Sequence, residues 1–121
     1  LGGHVQIGNW AILGGGVLVH QFTQIGEHSL IGGGFRAVQD VPPFIIAANH
    51  PLQYKGVNIV GLKRRGFSKK DMDSIKKAYR GFFRSGVNRK IAIEKIESDF
   101  PKTKVIQKII KFIKCSKRGI I

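Results

Sequence analysis

Cysteine, methionine and tryptophan each occur once in the 121 residues. The lone Cys115 excludes an internal disulfide framework and suits a reducing compartment, so a cytoplasmic location is expected. No histidine pairs with it, and it is read as a spare thiol rather than a nucleophile. No apolar run approaches the roughly 18 residues of a membrane-spanning helix, so no integral membrane segment is expected. Acidic residues are also scarce, 7 against 21 basic, for a net charge of +14. The imbalance is local. Residues 1–62 hold Arg36 and Lys55 against Glu27 and Asp40, whereas residues 63–121 hold 19 basic and 5 acidic residues. Such a surface is either simply solvated or suited to an acidic partner. Nucleic acid is disfavoured, because no basic motif interleaved with aromatics is present.

What the sequence does contain is a repeat. Leu1, Ile7, Leu13, Val19, Ile25 and Ile31 are aliphatic at intervals of six. The next residue is glycine at Gly2, Gly8, Gly14, Gly26 and Gly32, with His20 the exception. The fifth place is small at Val5, Ala11, Val17, Thr23 and Ser29, and Phe35 departs from it. A fixed short period signals stacked units that bury one another's faces, and six residues fit one flat side of a parallel β-helix. The aliphatic residue is expected to point inward, and the glycine to supply the positive φ of a sharp corner. Three hexads make one triangular coil, so about two coils are present. The pattern starts at Leu1 without a methionine, and the chain is read as the C-terminal part of a longer protein.

The register fades after Ala37, and Pro42 and Pro43 end it, since proline cannot donate to a ladder. Residues 1–43 are therefore assigned to the coils and 44–67 to an extended connecting loop. Residues 68–121 form a three-helix lobe. Ser68 with Asp71 resembles a capping box, and Met72, Ile75, Tyr79, Phe82 and Phe83 form an apolar stripe that stops at Gly86. Asn88 caps a second helix through Phe100, with Ile91, Ile96 and Phe100 inward. Pro101 opens a third, with Val105, Ile109, Ile110 and Ile113 inward. The segment from Cys115 to Ile121 is expected to fray.

Several stretches carry a family resemblance: Leu1-Gly2-Gly3-His4-Val5, Val19-His20-Gln21-Phe22, Gln39-Asp40-Val41-Pro42-Pro43, Gly56-Val57-Asn58, Gly61-Leu62-Lys63-Arg64-Arg65-Gly66-Phe67 and the closing Arg118-Gly119. Together they resemble the C-terminal half of the UDP-N-acetylglucosamine O-acyltransferases of lipid A biosynthesis. The resemblance implies a left-handed parallel β-helix followed by an α-helical C-terminal lobe. It also implies a homotrimer with active sites in clefts between neighbouring β-helices. The implied reaction moves an (R)-3-hydroxyacyl chain from acyl carrier protein to the 3-hydroxyl of UDP-N-acetylglucosamine. The carrier thioester is the donor, and neither a cofactor nor a metal is required. The family's general-base histidine falls before Leu1. These 121 residues alone are therefore expected to lack the roughly 10²–10⁴-fold contribution of a positioned base.

The resemblance also assigns roles. Gly3 matches a glycine whose N–H steadies the developing oxyanion. His4 matches a histidine that binds or orients the sugar. His20 and Gln21 match a pair near substrate and the pantetheine arm; a subunit contact is the other reading of His20. Gly33 matches the floor of the acyl groove, where a larger side chain shortens the accepted chain. Asn58, Arg64 and Arg65 match nucleotide-binding positions, with the guanidinium groups suited to diphosphate oxygens. Without the resemblance, two adjacent arginines read as a solvated loop. Val60 departs from the pattern, standing where an acidic residue is expected.

Three other readings compete. A sister hexapeptide acyltransferase adds the N-linked chain later in the same pathway, although the Gly61–Phe67 connection and the helical lobe argue against it. A non-catalytic basic module would only dock acyl carrier protein. A zinc-dependent carbonic anhydrase of similar coil would need three converging histidines, and His4, His20, His28 and His50 lack that spacing.

Overall fold

A computed structural model describes residues 2–84 and 86–121, which leaves the first hexad residue, Leu1, outside the described residues. Six two-residue strands recur along the repeat: β1 (Gln6–Ile7), β2 (Ile12–Leu13), β3 (Leu18–Val19), β4 (Gln24–Ile25), β5 (Leu30–Ile31) and β6 (Arg36–Ala37). They pair in parallel as β1–β4, β2–β5 and β3–β6, with Gln6 opposite Gln24, Ile12 opposite Leu30 and Leu18 opposite Arg36. Each pairing spans 18 residues, which is three hexads, so the chain winds around three flat faces. Val19, Ile25, Ile31 and Ala37 fill the interior, none more than 5% exposed. Ile7, though it has the same place in its hexad, is 41% exposed. Burial in a solenoid comes from the layers on both sides, and Ile7 has a described layer on one side only.

The hexad glycines serve a different purpose from the one expected. Positive φ falls at the fourth place of each hexad, at His4, Trp10, Gly16, Phe22, His28 and Gly34. Gly2, Gly8, Gly14 and Gly26 have ordinary φ and are required by close approach of the next layer's backbone, whereas a Cβ on Gly32 would meet the Phe35 ring of its own corner at 2.9 Å. A Cβ on Gly8 would lie 2.5 Å from Glu27 N, and one on Gly26 would lie 2.3 Å from Pro43 N. His20 escapes this constraint. The pairing offset is 18 at Val19–Ala37 but 16 at Ile25–Val41, so the corner that would crowd His20 is two residues short.

The shortened corner also hid a further layer from the hexad reading. Strand β7 (Ile45–Ala48) continues the second face, with Leu30 opposite Ile46, and β8 (Gln53–Val57) then returns antiparallel to it. A short helix α1 (Ile59–Arg64) follows. Residues 44–67, expected as a loop, therefore hold two strands and a helix. Phe44-Ile45-Ile46-Ala47-Ala48 reads as a plain apolar run because Phe44, Ile45 and Ala47 are all fully buried and no alternation reveals the strand.

Helices α2 (Lys69–Phe82), α3 (Arg89–Asp99) and α4 (Lys104–Cys115) form the lobe. Ser68 Oγ accepts from Asp71 N at 3.0 Å, and Asn88 Oδ1 accepts from Lys90 N at 2.8 Å, so both expected caps are present. Two details differ. In α3, Ala92, Ile93 and Ile96 are buried while Ile91 is 58% exposed, which turns the stripe by one residue. Helix α4 starts from Thr103 as its cap, and Pro101 precedes it. The Tyr79 hydroxyl donates to the Pro43 carbonyl at 2.6 Å and ties α2 to the coil; burial raises its pKa well above the usual value.

The C-terminal segment is docked, not frayed. Arg118 Nε donates to Val38 O at 3.0 Å, Asp40 N donates to Gly119 O at 2.8 Å, and Ile121 N donates to Asp40 O at 3.1 Å. Arg89 donates to the carbonyls of Ile120 and Ile121 at 2.8 and 3.0 Å. The buried Asp40 carboxylate accepts from Gln24 N and from the Ser116 hydroxyl. Its acceptor sites are satisfied by groups from both the coil and the tail, which fixes the tail over the short corner.

Candidate functional site

The corners between faces stack into three edges, and the candidate residues divide among them. The first edge carries Gly2, Gly3 and His4 beneath His20, Gln21 and Phe22. Phe22 N donates to Gly3 O at 3.0 Å, and the His4 ring lies parallel to the Phe22 ring with centroids 5.0 Å apart. Gly2 permits this approach, because a Cβ there would lie 2.4 Å from Gln21 N. His20 Nδ1 lies 3.2 Å from Gln21 O. The side chains of His4, His20 and Gln21 are exposed. Gly3, His4, His20 and Gln21 therefore share one edge, and a cleft of about 360 Å³ beside it is lined by His4, Gln24, Lys117 and Arg118. Gly3 has neither a positive φ nor a neighbour within 4 Å of a built Cβ, so the fold itself does not demand glycine there.

The second edge stacks Trp10, His28 and Phe44, all at positive φ. His28 N donates to Asn9 O at 2.9 Å and Phe44 N to Glu27 O at 2.9 Å. The His28 ring packs against Phe44 and Phe67, with centroids 6.0 and 4.9 Å away. Burial lowers its pKa; Glu27 opposes the shift, and Lys108 and Arg65 add to it. Asn58 lies against this edge rather than facing solvent. It is 5% exposed, its Nδ2 donates to His28 O at 3.0 Å, and its Oδ1 accepts from Gly61 N at 3.3 Å as the cap of α1. The structure gives Asn58, expected at a nucleotide-binding position, a structural role instead: both ends of its amide are engaged. Gly61 makes room for it, since a Cβ there would lie 2.5 Å from Asn58 Nδ2.

Arg65 ends α1, with its N–H shared between the carbonyls of Gly61 and Leu62 at 3.2 Å. Its guanidinium carbon lies 3.5 Å from the centroid of the Trp10 ring. Arg64 is exposed beside it, and Val60 is 63% exposed on the same helix. Among the described residues the ion pairs are Lys108–Glu27 at 2.8 Å and Lys114–Glu97 at 2.7 Å, so neither Arg64 nor Arg65 has a carboxylate partner there.

The third edge is built of Gly14, Gly15 and Gly16 beneath Gly32, Gly33 and Gly34, with Phe35 against His50 at 5.0 Å. Gly33 is exposed, and a Cβ on it would lie 3.3 Å from Gly15 O. One edge thus presents almost no side chains. The sequence reading missed Trp10 and His28. Their signal was the fourth-place column of His4, Trp10, Phe22 and His28, in which the bulky Trp10 and Phe22 are unusual residues for left-handed backbone.

The family model for UDP-N-acetylglucosamine O-acyltransferase, domain 2, matches residues 40–121. The acyl-[acyl-carrier-protein]–UDP-N-acetylglucosamine O-acyltransferase of Burkholderia lata is 41% identical over 129 aligned residues, covering 100% of this chain and 48% of that protein. Among solved structures, the UDP-N-acetylglucosamine acyltransferase of Bacteroides fragilis matches with a TM-score of 0.94 at 41% identity, covering 100% of this chain and 50% of that one. The Francisella novicida enzyme matches at 0.92 and 37%, covering 98% and 44%. The chain spans about half the length of the curated relatives it matches. With the stacked strands, the three edges and the capped helical lobe, these matches show that the chain belongs to the UDP-N-acetylglucosamine O-acyltransferase family.

Proposed function

We propose that the protein transfers an (R)-3-hydroxyacyl chain from the thioester of acyl carrier protein to the 3-hydroxyl of UDP-N-acetylglucosamine, opening lipid A biosynthesis. The observation that carries the reading is the gathering of Gly3, His4, His20 and Gln21 on one exposed edge of a chain of this family. A base removes the proton of the sugar 3-hydroxyl, and the oxygen attacks the thioester carbonyl. The carbonyl oxygen gains negative charge, which the Gly3 N–H accommodates. Collapse expels the pantetheine thiolate, which takes up a proton and leaves an ester on the sugar. His4 orients the sugar, and His20 and Gln21 hold substrate and the pantetheine arm. Arg64 and Arg65 bind the diphosphate, with Asn58 bracing their helix from beneath. The base itself we place outside residues 1–121.

The same reading gives the coil a left-handed sense and the protein three-fold symmetry. The distribution of candidate residues over three edges supports the three-fold symmetry, because a cleft between copies joins an edge of one chain to a different edge of its neighbour. Exposed Ile12, Leu18 and Phe22 supply apolar surface for such contacts. The basic surface of the lobe suits an acidic carrier protein. The match to an O-acyltransferase domain favours the ester-forming enzyme over its N-acylating sister.

The glycine edge supplies the test. Wild-type full-length protein and Gly33→Met are given a mixture of 3-hydroxyacyl carrier proteins of graded chain length. The wild type is expected to favour long chains and the variant shorter ones. Transfer from none of the donors by the wild type contradicts the function, and an unchanged chain preference removes Gly33 from the acyl groove.

A further inference from the structure

Arg65 reaches the second edge with its backbone anchored and no carboxylate partner among the described residues. Its N–H is held by two carbonyls at the end of α1, which fixes where the side chain starts. Its guanidinium lies flat enough on Trp10 to bring the carbon within 3.5 Å of the ring centroid. Glu27, the one carboxylate of the coil near this edge, is engaged by Lys108 at 2.8 Å. Trp10 is otherwise costly as a surface residue. It is 58% exposed and adopts a φ of 62°, a region where bulky side chains are disfavoured.

We infer that Trp10 is a positioning residue for Arg65 that presents the guanidinium to the diphosphate of the sugar nucleotide. The inference rests on the assignment of Arg65 to the nucleotide and deepens it. A guanidinium donates its hydrogen bonds in its own plane, and a phosphate accepts two of them side by side. An aromatic face beneath the plane restrains the group and attracts its charge without occupying a donor. A carboxylate in the same place would use up the donors and compete with the ligand. The indole therefore restrains a side chain that otherwise loses rotamer freedom on binding. Asn58, His28 and Gly61 complete the support, since they fix α1 against the layer next to Trp10.

The test is a kinetic cycle on the full-length protein. Trp10→Leu keeps apolar bulk and removes the π face, Trp10→Phe restores a smaller face, and Arg65→Ala removes the cation. Trp10→Leu is expected to raise KM for the sugar nucleotide about three- to tenfold with kcat little changed, the range of one cation–π contact. Trp10→Phe should recover most of that loss. In the Arg65→Ala background, Trp10→Leu should add nothing. Melting temperatures near wild type for both Trp10 variants keep a folding defect apart. If Arg65→Ala raises KM and Trp10→Leu does not, Trp10 does not position it and the inference falls. A further rise in KM when Trp10→Leu is added to Arg65→Ala also overturns it. If Arg65→Ala leaves KM unchanged, the assignment of Arg65 to the nucleotide falls first and takes the inference with it.

Discussion

Substitution at three glycines separates the two reasons that the coil contains so many. At Gly26 the reason is clearance. An added Cβ would lie 2.3 Å from Pro43 N, 2.6 Å from Pro43 Cα and 2.7 Å from Pro42 C. All three are backbone atoms of the next layer, so relief requires moving the layer and its interior residues. Overpacking of this kind costs about 1–3 kcal/mol where side chains can yield, and Gly26→Ala belongs at the top of that range or above. At Gly34 the reason is φ, which is 79°, with nothing within 4 Å of the built Cβ. Gly34→Ala should cost about 1 kcal/mol from left-handed backbone alone. At Gly15 neither reason applies. Gly15→Ala should stabilise by about 0.4–1 kcal/mol by narrowing the unfolded ensemble. Thermal unfolding followed by circular dichroism measures all three. The expected order of midpoints is Gly15→Ala above wild type, then Gly34→Ala, then Gly26→Ala, the last melting on the order of 10 °C below wild type. A Gly26→Ala protein as stable as wild type, or less affected than Gly34→Ala, refutes the account of the second-place glycines.

Two further outcomes follow from buried polar groups. Thr23 Oγ1 is fully buried without a hydrogen-bond partner among the described residues, so Thr23→Val should raise stability by about 1 kcal/mol, read from the same unfolding midpoints. His28 has its pKa held below 6.5, chiefly by burial. Above that pH both states are neutral at this residue. As pH falls through 6.5 the unfolded chain binds the proton first, so stability declines until the folded histidine also titrates. His28→Asn, which tolerates the same backbone region, should remove this part of the decline between about pH 7 and pH 5, as the difference between the two stability curves.

Much of this fold is legible in the sequence because its rules are local. The period of six places the strands, and Ser68 and Asn88 mark helix starts through their own side chains. What escaped depends on contacts between layers. The role of Gly8 and Gly26 is visible only when the residues above them, Glu27 and Pro43, are in place. The third layer was concealed by a corner two residues short, which broke the period without ending the coil. The docking of the tail rests on Asp40, about 80 residues distant, and nothing near Ile120 announces it. The candidate site divides in the same way. His4, His20 and Arg65 stand out through motif and residue type, whereas the inward turn of Asn58 and the stacking of Arg65 on Trp10 arise from the packing of α1 against the second edge.

Every role given to Gly3, His4, His20 and Gln21 depends on O-acylation of a sugar nucleotide. The most direct measurement incubates the full-length protein with UDP-N-acetylglucosamine and 3-hydroxyacyl carrier proteins and follows the nucleotide by mass spectrometry before and after hydroxylamine. The predicted result is a nucleotide heavier by one 3-hydroxyacyl group, which hydroxylamine removes as an ester. An unmodified nucleotide with every donor, or an acyl group that resists hydroxylamine, contradicts it.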